Sequence, residues 1–246
     1  MKFYSLCRIL CVMAFVVIYS MFTTVFAGTV VQEKSINIPS VQGDITLDGK
    51  LDEVIWQQAQ EISLDIVNFP WNNTPSPLKT TAKIIENGEN LLIAFIAYDP
   101  EPENILSHYG DRDTRWDDDL VGIKLDAQNN HRLNYEFVVN PLGMQMDSIQ
   151  NHTTGEKNDL WDGIWHSYGR LTDTGYIVEI QIPFRILNFS DDQNIKTWPF
   201  ELFRIYPRDT WLRISHVPLD KDIACKTCQY PLAKGFENAS TKENVM

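Results

Sequence analysis

Apolar and polar residues alternate with a period of two along most of this chain, and no long helical period appears after the apolar N-terminal stretch. Ile62, Leu64 and Ile66 alternate with polar neighbours, which predicts a half-buried strand. Thr80 to Ile85 and Leu91 to Tyr98 predict two strands joined around Asn87-Gly88, the second apolar enough to lie centrally. Leu120 to Leu125 and Leu133 to Val139 flank an Asn129-Asn130 turn, and Pro141-Leu142-Gly143 turns the chain into Met144 to Ile149. Ile164 to Arg170, Gly175 to Pro183, Trp198 to Tyr206 and Trp211 to His216 complete a run of about eight to ten strands at the turn spacing of sandwiches. Leu51, Ile55 and Ala59 recur at helical spacing after an Asp48-Gly49 turn, itself preceded by a short strand over Asp44 to Leu47, and Trp56 reads as a core plug. The fold class expected is therefore all-β: an antiparallel β-sandwich, jelly-roll or immunoglobulin-like, with one short helix near the N-terminus.

The first residues change the picture from fold to compartment. Lys2 and Arg8 precede an apolar run from Ile9 to Phe22, and Val25-Phe26-Ala27 suits a signal peptidase, so residues 1–27 are expected to be a signal peptide cleaved after Ala27. The run is short for a retained anchor, and Cys7 and Cys11 would leave with it. Residues 28–37 form a polar lead, 38–236 the sandwich, and 237–246 a polar tail expected to be disordered. Loss of Lys2 and Arg8 takes the net charge from −12 to −14, which argues against nucleic acid and anionic lipid as partners and fits a cation or a neutral ligand. In an oxidising compartment the remaining Cys225 and Cys228 are expected to pair locally, with a redox pair or a zinc site near His216 as less supported alternatives.

The chemistry concentrates in Arg112 to Asp126, where Trp116 is followed by Asp117, Asp118 and Asp119 and then by a strand. A flat ring beside acceptor oxygens can stack on a sugar and bond its hydroxyls. The same carboxylates, with Asp99, Asp111 or Asp113 across the loop, are candidate Ca²⁺ ligands, although successive residues on an extended chain point to opposite sides. Trp71, in the proline-rich loop Phe69 to Pro77, and Trp161 and Trp165 offer further rings. No H-E-x-x-H, G-x-S-x-G, phosphate-binding glycine loop or catalytic Cys-His signature occurs, so catalysis by this chain alone is not expected. Met144, Met146, His152 and His166 include types that ligate haem, but a methionine on an alternating strand is usually core, and no haem is expected.

Three stretches, Asp48-Gly49-Lys50-Leu51-Asp52-Glu53-Val54-Ile55-Trp56, Trp116-Asp117-Asp118-Asp119-Leu120-Val121-Gly122-Ile123 and Gly175-Tyr176-Ile177-Val178-Glu179-Ile180-Gln181-Ile182-Pro183, resemble in this order the family 9 carbohydrate-binding modules, a β-sandwich group of the DOMON-like class. The likeness is nearest to the exported type that, in Gram-negative bacteria, precedes an outer-membrane β-barrel of unknown function. It implies a periplasmic or outer-membrane-associated domain, a glycan or oligosaccharide as ligand, a link to carbohydrate catabolism, and a chain that stops where the barrel would begin. It also implies an alternative role, an interaction or gating domain of such a barrel with a vestigial sugar site. In sugar-binding members two tryptophans sandwich a terminal sugar. Trp116 matches one of them, Asn140 falls where a ligand-bonding Asn sits, and Tyr230 stands near the place of the second tryptophan. A sugar-bonding Glu is replaced by Gly122 and an Arg by Val138.

Overall fold

A computed structural model of the chain describes residues 34–190 and 196–240; the expected signal peptide and residues 241–246 lie outside the described residues. In chain order the strands are β1 (Ser35–Asn37), β2 (Gln60–Ser63), β3 (Ile66–Phe69), β4 (Thr74–Pro75) and β5 (Thr80–Glu86). They continue as β6 (Asn90–Tyr98), β7 (Leu120–Leu125), β8 (Leu133–Val139), β9 (Gln145–Asn151) and β10 (Lys157–Asn158). β11 (His166–Thr172), β12 (Gly175–Pro183), β13 (Thr197–Pro207), β14 (Trp211–Ser215) and β15 (Leu232–Lys234) follow, and helix α1 (Ile55–Gln58) precedes β2. One sheet runs β10-β9-β8-β7-β13-β14-β3-β4, with β15 also on β13 and β1 on β15; the other runs β11-β12-β6-β5-β2. Among the described residues the strand pairings are antiparallel except β1 with β15, and an isolated bridge between Ser40 and Glu86 is also parallel.

The period of two decides which side chains meet between the sheets. Leu91, Ile93, Phe95 and Ala97 of β6 and Tyr176, Val178, Ile180 and Ile182 of β12 face Val121, Ile123 and Leu125 of β7, Phe137 and Val139 of β8, and Phe200 and Leu202 of β13 in one core. The other face of β6 is apolar too: Leu92 and Ala94 with Ile85 form a second cluster under Ile55 and Trp56. Trp56 is thus a plug, as expected, but of this small cluster outside the five-stranded sheet rather than of the main core. Two of the recognised stretches meet there. The Glu179 carboxylate accepts the Asp48 and Gly49 N–H groups at 3.0 and 2.7 Å, fixing the turn that sends the chain into α1. Gly49 has φ +73°, and a Cβ there would lie 2.6 Å from Arg170 Cβ, so both backbone and space require glycine.

Several expectations are corrected. No strand forms over Asp44 to Leu47. The alternating Ile62-Leu64-Ile66 stretch is not one strand, because the chain leaves β2 in one sheet and enters β3 in the other, with buried Leu64 between them. β4 forms inside the proline-rich loop and pairs with β3, and β15 forms beyond the last expected strand, where Leu232 and Ala233 are buried. Ala239, three residues beyond Phe236, is buried and belongs to the main core cluster.

Candidate functional site

Where alternation puts the core on one face of β7, β8 and β13, it puts a second set of residues on the outer face of the ten-stranded sheet. Gly122 lies beside Val138 and Phe203, Val138 beside Met146, and Leu120 beside Ile205. These apolar residues form a buried cluster against which the Trp116 ring packs. The next row is polar: Lys124 lies beside Glu136 and Glu201, and Glu136 beside Ser148.

Trp116 is held by its loop. Its ring N–H donates to the Asp113 carbonyl at 3.0 Å, while Asp113 N–H donates to the Gln145 carbonyl and its carboxylate accepts the Asp147 N–H, tying the loop to β9. The ring is partly exposed, and Lys157 Nζ lies over it, 4.0 Å from its centroid. Lys157 also pairs with Glu136 at 3.3 Å and Asp159 at 3.1 Å, and Lys124 pairs with Glu136 at 3.2 Å. Burial would raise the Glu136 carboxyl, but Lys124 and Lys157 outweigh it and hold it below its ordinary value. Glu201 is fully buried and held down to about 2: burial acts upward, and the Arg213 guanidinium, bidentate at 2.6 and 2.8 Å, overrides it. Tyr230 is buried beside the same carboxylate and bonds it through its hydroxyl, so it is not presented as a second stacking ring.

Asn140 is fully buried and its amide is spent. It donates to the His108 carbonyl and the Asp118 carboxylate at 2.9 and 2.8 Å and accepts the Leu142 and Met144 N–H groups at 3.0 and 2.9 Å. Its position anchors loops instead of facing a ligand. Gly122 is closed as well. A Cβ there would stand 2.6 Å from the Phe137 carbonyl oxygen and 2.9 Å from Phe203 Cζ, so Phe203 occupies the room a side chain at 122 would need.

The four expected metal ligands do not gather round one point. Asp117 is exposed, and Asp118 accepts the His108 N–H and pairs with the His108 ring, whose bonds together with Asn140 lower its carboxyl despite burial. Asp119 accepts the Leu106 N–H and Arg208, and burial still raises it; Asp99 pairs with Arg204 and Arg208. Arginines already supply the positive charge at Asp99 and Asp119, and Asp118 and Asp119 bond different partners, His108 and Asn140 on one side and Leu106 and Arg208 on the other, so this set does not fit Ca²⁺. Among the described residues the carboxylates that do converge are Asp113, Asp147 and Asp162, within 4.8 Å of one another, and Arg112 lies among them, 2.8 Å from Asp147 and 3.2 Å from Asp162.

Cys225 and Cys228 are bonded to each other, while His216 is buried and accepts the Leu202 N–H. Trp161 and Trp165 pack on Phe137 in the core, and Met146 belongs to the outer cluster. Trp71 is exposed near the β3–β4 turn. Phe69 and Trp211, which no motif in the sequence marks as site residues, form an exposed edge-to-face pair at 5.3 Å on strands β3 and β14. Trp211 has the parity of Arg213 on β14, which puts it on the outer face with Trp116, and Phe69 lies opposite Arg213 across a β-bulge with its ring on Trp211. The alternation Trp211-Leu212-Arg213-Ile214-Ser215 was the available signal. Lys157 left none, being in a two-residue strand inside a polar loop.

The family profile described as "Carbohydrate family 9 binding domain-like" matches residues 47–203. Among solved structures, a protein of Bacteroides uniformis ATCC 8492, described as a candidate carbohydrate-binding protein, is similar with a TM-score of 0.65 at 14% identity, over 82% of this chain and 98% of its own. A family 9 carbohydrate-binding module of Caldicellulosiruptor kristjanssonii in complex with glucose gives a TM-score of 0.57 at 17% identity, over 82% of this chain and 95% of its own. In complex with cellotriose the corresponding values are 0.56 and 16%, over 81% and 93%. At these identities the likeness is one of fold. No curated protein sequence matches the chain.

Proposed function

Because the chain belongs to the carbohydrate family 9 binding domain-like family, we propose that it is a non-catalytic, exported glycan-binding domain that takes its ligand on the outer face of the ten-stranded sheet. The observation that carries this reading is Trp116, a part-exposed ring fixed through Asp113 and bordered by the polar row of Lys124, Glu136 and Lys157. Exposed Phe69 and Trp211 extend the aromatic surface of the same face. The glucose and cellotriose held by the Caldicellulosiruptor module make these the first ligands to try. Stacking on a single ring is worth on the order of 1 kcal/mol, so a millimolar affinity, about 4 kcal/mol, requires hydrogen bonds from the polar row as well.

The test is titration of the mature domain with glucose and cellotriose, followed by tryptophan fluorescence. A saturable change in the wild type that is lost in Trp116→Ala, with the variant still folded by its melting curve, supports the reading. An unperturbed signal at millimolar sugar removes it.

A second reading has its own observation. Phe203 closes the space at Gly122, Val138 is buried, and Asn140 is spent, so three positions implied for sugar hydrogen bonds offer none. This favours an interaction domain beside an outer-membrane barrel, with the sugar site vestigial. On that reading the gene runs on into, or lies next to, a barrel-coding segment and sugars leave the fluorescence unchanged.

A further inference from the structure

The stacking ring is already occupied. Lys157 Nζ sits over Trp116 at 4.0 Å from the centroid, close enough for a strong cation–π contact, and its charge is answered by Glu136 and Asp159 at 3.3 and 3.1 Å. The strand that carries it is held to the body: Lys157 pairs with Gln150 of β9 and Asn158 with Ile149. Resting on the glycan reading above, we propose that Lys157 is the specificity-determining residue of this face. It competes with the ligand for Trp116 and favours a sugar that carries an ammonium group over the neutral sugar of the same shape.

The physical argument is one of replacement. A sugar that stacks on Trp116 must lift the ammonium off the ring. A neutral sugar gives back van der Waals contact but no charge, so the ring loses its cation contact. Glu136 is then left with Lys124 as its ion-pair partner beside the Ser148 hydroxyl, and Asp159 loses the one cation partner it shows among the described residues. An amino sugar brings an ammonium of the same kind as the one it displaces and can restore both the ring contact and the pairing with the carboxylates. The surroundings agree in sign. Asp117 is exposed next to Trp116, and the chain's net charge of −12 favours the approach of a cationic ligand to the protein over that of an anionic one. The closure of Gly122 by Phe203 points the same way. With no side chain there to bond a hydroxyl, recognition falls to the ring and to the carboxylates that now hold Lys157.

Two measurements on the folded mature protein test this. In the first, glucose and glucosamine are titrated against wild type and Lys157→Ala at about pH 6, below the range in which an amine of this kind loses its proton. Glucosamine is expected to bind the wild type about two- to fivefold more tightly than glucose, and Lys157→Ala to tighten glucose binding by a similar factor. In the second, acrylamide quenching is compared for wild type and Lys157→Ala, each with and without Trp116→Phe, which isolates this one ring among the seven tryptophans. Removal of the lysine is expected to raise the quenching of Trp116. If sugar binds but Lys157→Ala leaves the glucose affinity equal or weaker, or glucosamine binds no better than glucose, the proposal is overturned while the glycan reading stands. If neither sugar binds either protein, the glycan reading itself fails and takes the proposal with it.

Discussion

Glu179 links two of the recognised stretches, and its titration is the sharpest test of how they are joined. It lies fully buried on β12, one carboxylate oxygen takes the Asp48 and Gly49 N–H groups, and the other is buried with no partner. Burial pushes its carboxyl from the ordinary 4.5 up to about 7, against the two N–H bonds, with Glu53 and Asp48 adding like charge. A carboxyl whose folded value lies above its unfolded value holds more protons in the native state between the two. Its contribution is therefore fully present below about pH 4.5 and is lost as pH rises through 7. The whole shift corresponds to about 3 kcal/mol as an upper bound, which solvent at the turn reduces to about 1–2 kcal/mol. Glu179→Gln keeps an acceptor for Asp48 and Gly49 and removes the ionisation. Urea denaturation followed by tryptophan fluorescence, from pH 4.5 to 8, should show the variant equal to wild type at the acid end and about 1–2 kcal/mol more stable at the alkaline end. The difference between the two curves is the quantity to read, because other groups titrate in the same window. His216, pushed down to about 4 by burial, contributes stability that is present above about pH 6.5 and fades as pH falls, which is the opposite slope. A flat difference, or one that favours wild type as pH rises, would refute the reasoning, since it would mean the two N–H bonds outweigh burial.

The remaining predictions concern packing, pairing and binding. Gly122→Ala should cost about 1–3 kcal/mol in denaturant melts, because its methyl must displace the Phe137 carbonyl or the Phe203 ring; a neutral effect would show that the outer cluster yields easily. Arg213→Ala should cost about 3–5 kcal/mol by stranding the buried Glu201 charge, and adding Glu201→Gln should recover part of it; additive losses in the double-mutant cycle would contradict the pairing. Trp116→Ala should abolish any sugar-dependent fluorescence change and, because the ring also covers the outer cluster, should lower Tm without unfolding the domain. Lys157→Ala should act in the opposite direction, strengthening neutral-sugar binding.

The chain's own pattern determined the sandwich. β7, β8 and β12 fall on the residues that alternation marks out, because each has one face in the main core, and a period of two then leaves a single register that hides the apolar set. Asp48-Gly49 as a turn and α1 as one short turn of helix were legible for the same local reason. Elements whose existence depends on a distant partner were not: β4, β10 and β15 span two or three residues and form only because β3, β9 and β13 offer them an edge. The site divides along the same line. Trp116 stands out in sequence as a ring beside carboxylates, and the misfit of Gly122 and Val138 with a sugar-bonding pattern is visible before any fold is known. Only the tertiary structure decided that Asn140 is consumed by loop contacts, that Asp99 and Asp119 face arginines 89 to 109 residues away along the chain, and that Tyr230 is buried against Glu201. It alone placed Lys157 over the Trp116 ring. Side-chain type and spacing fix what a residue can bond. Which partner arrives first depends on strands brought together across the sheet, and that is written in no local pattern.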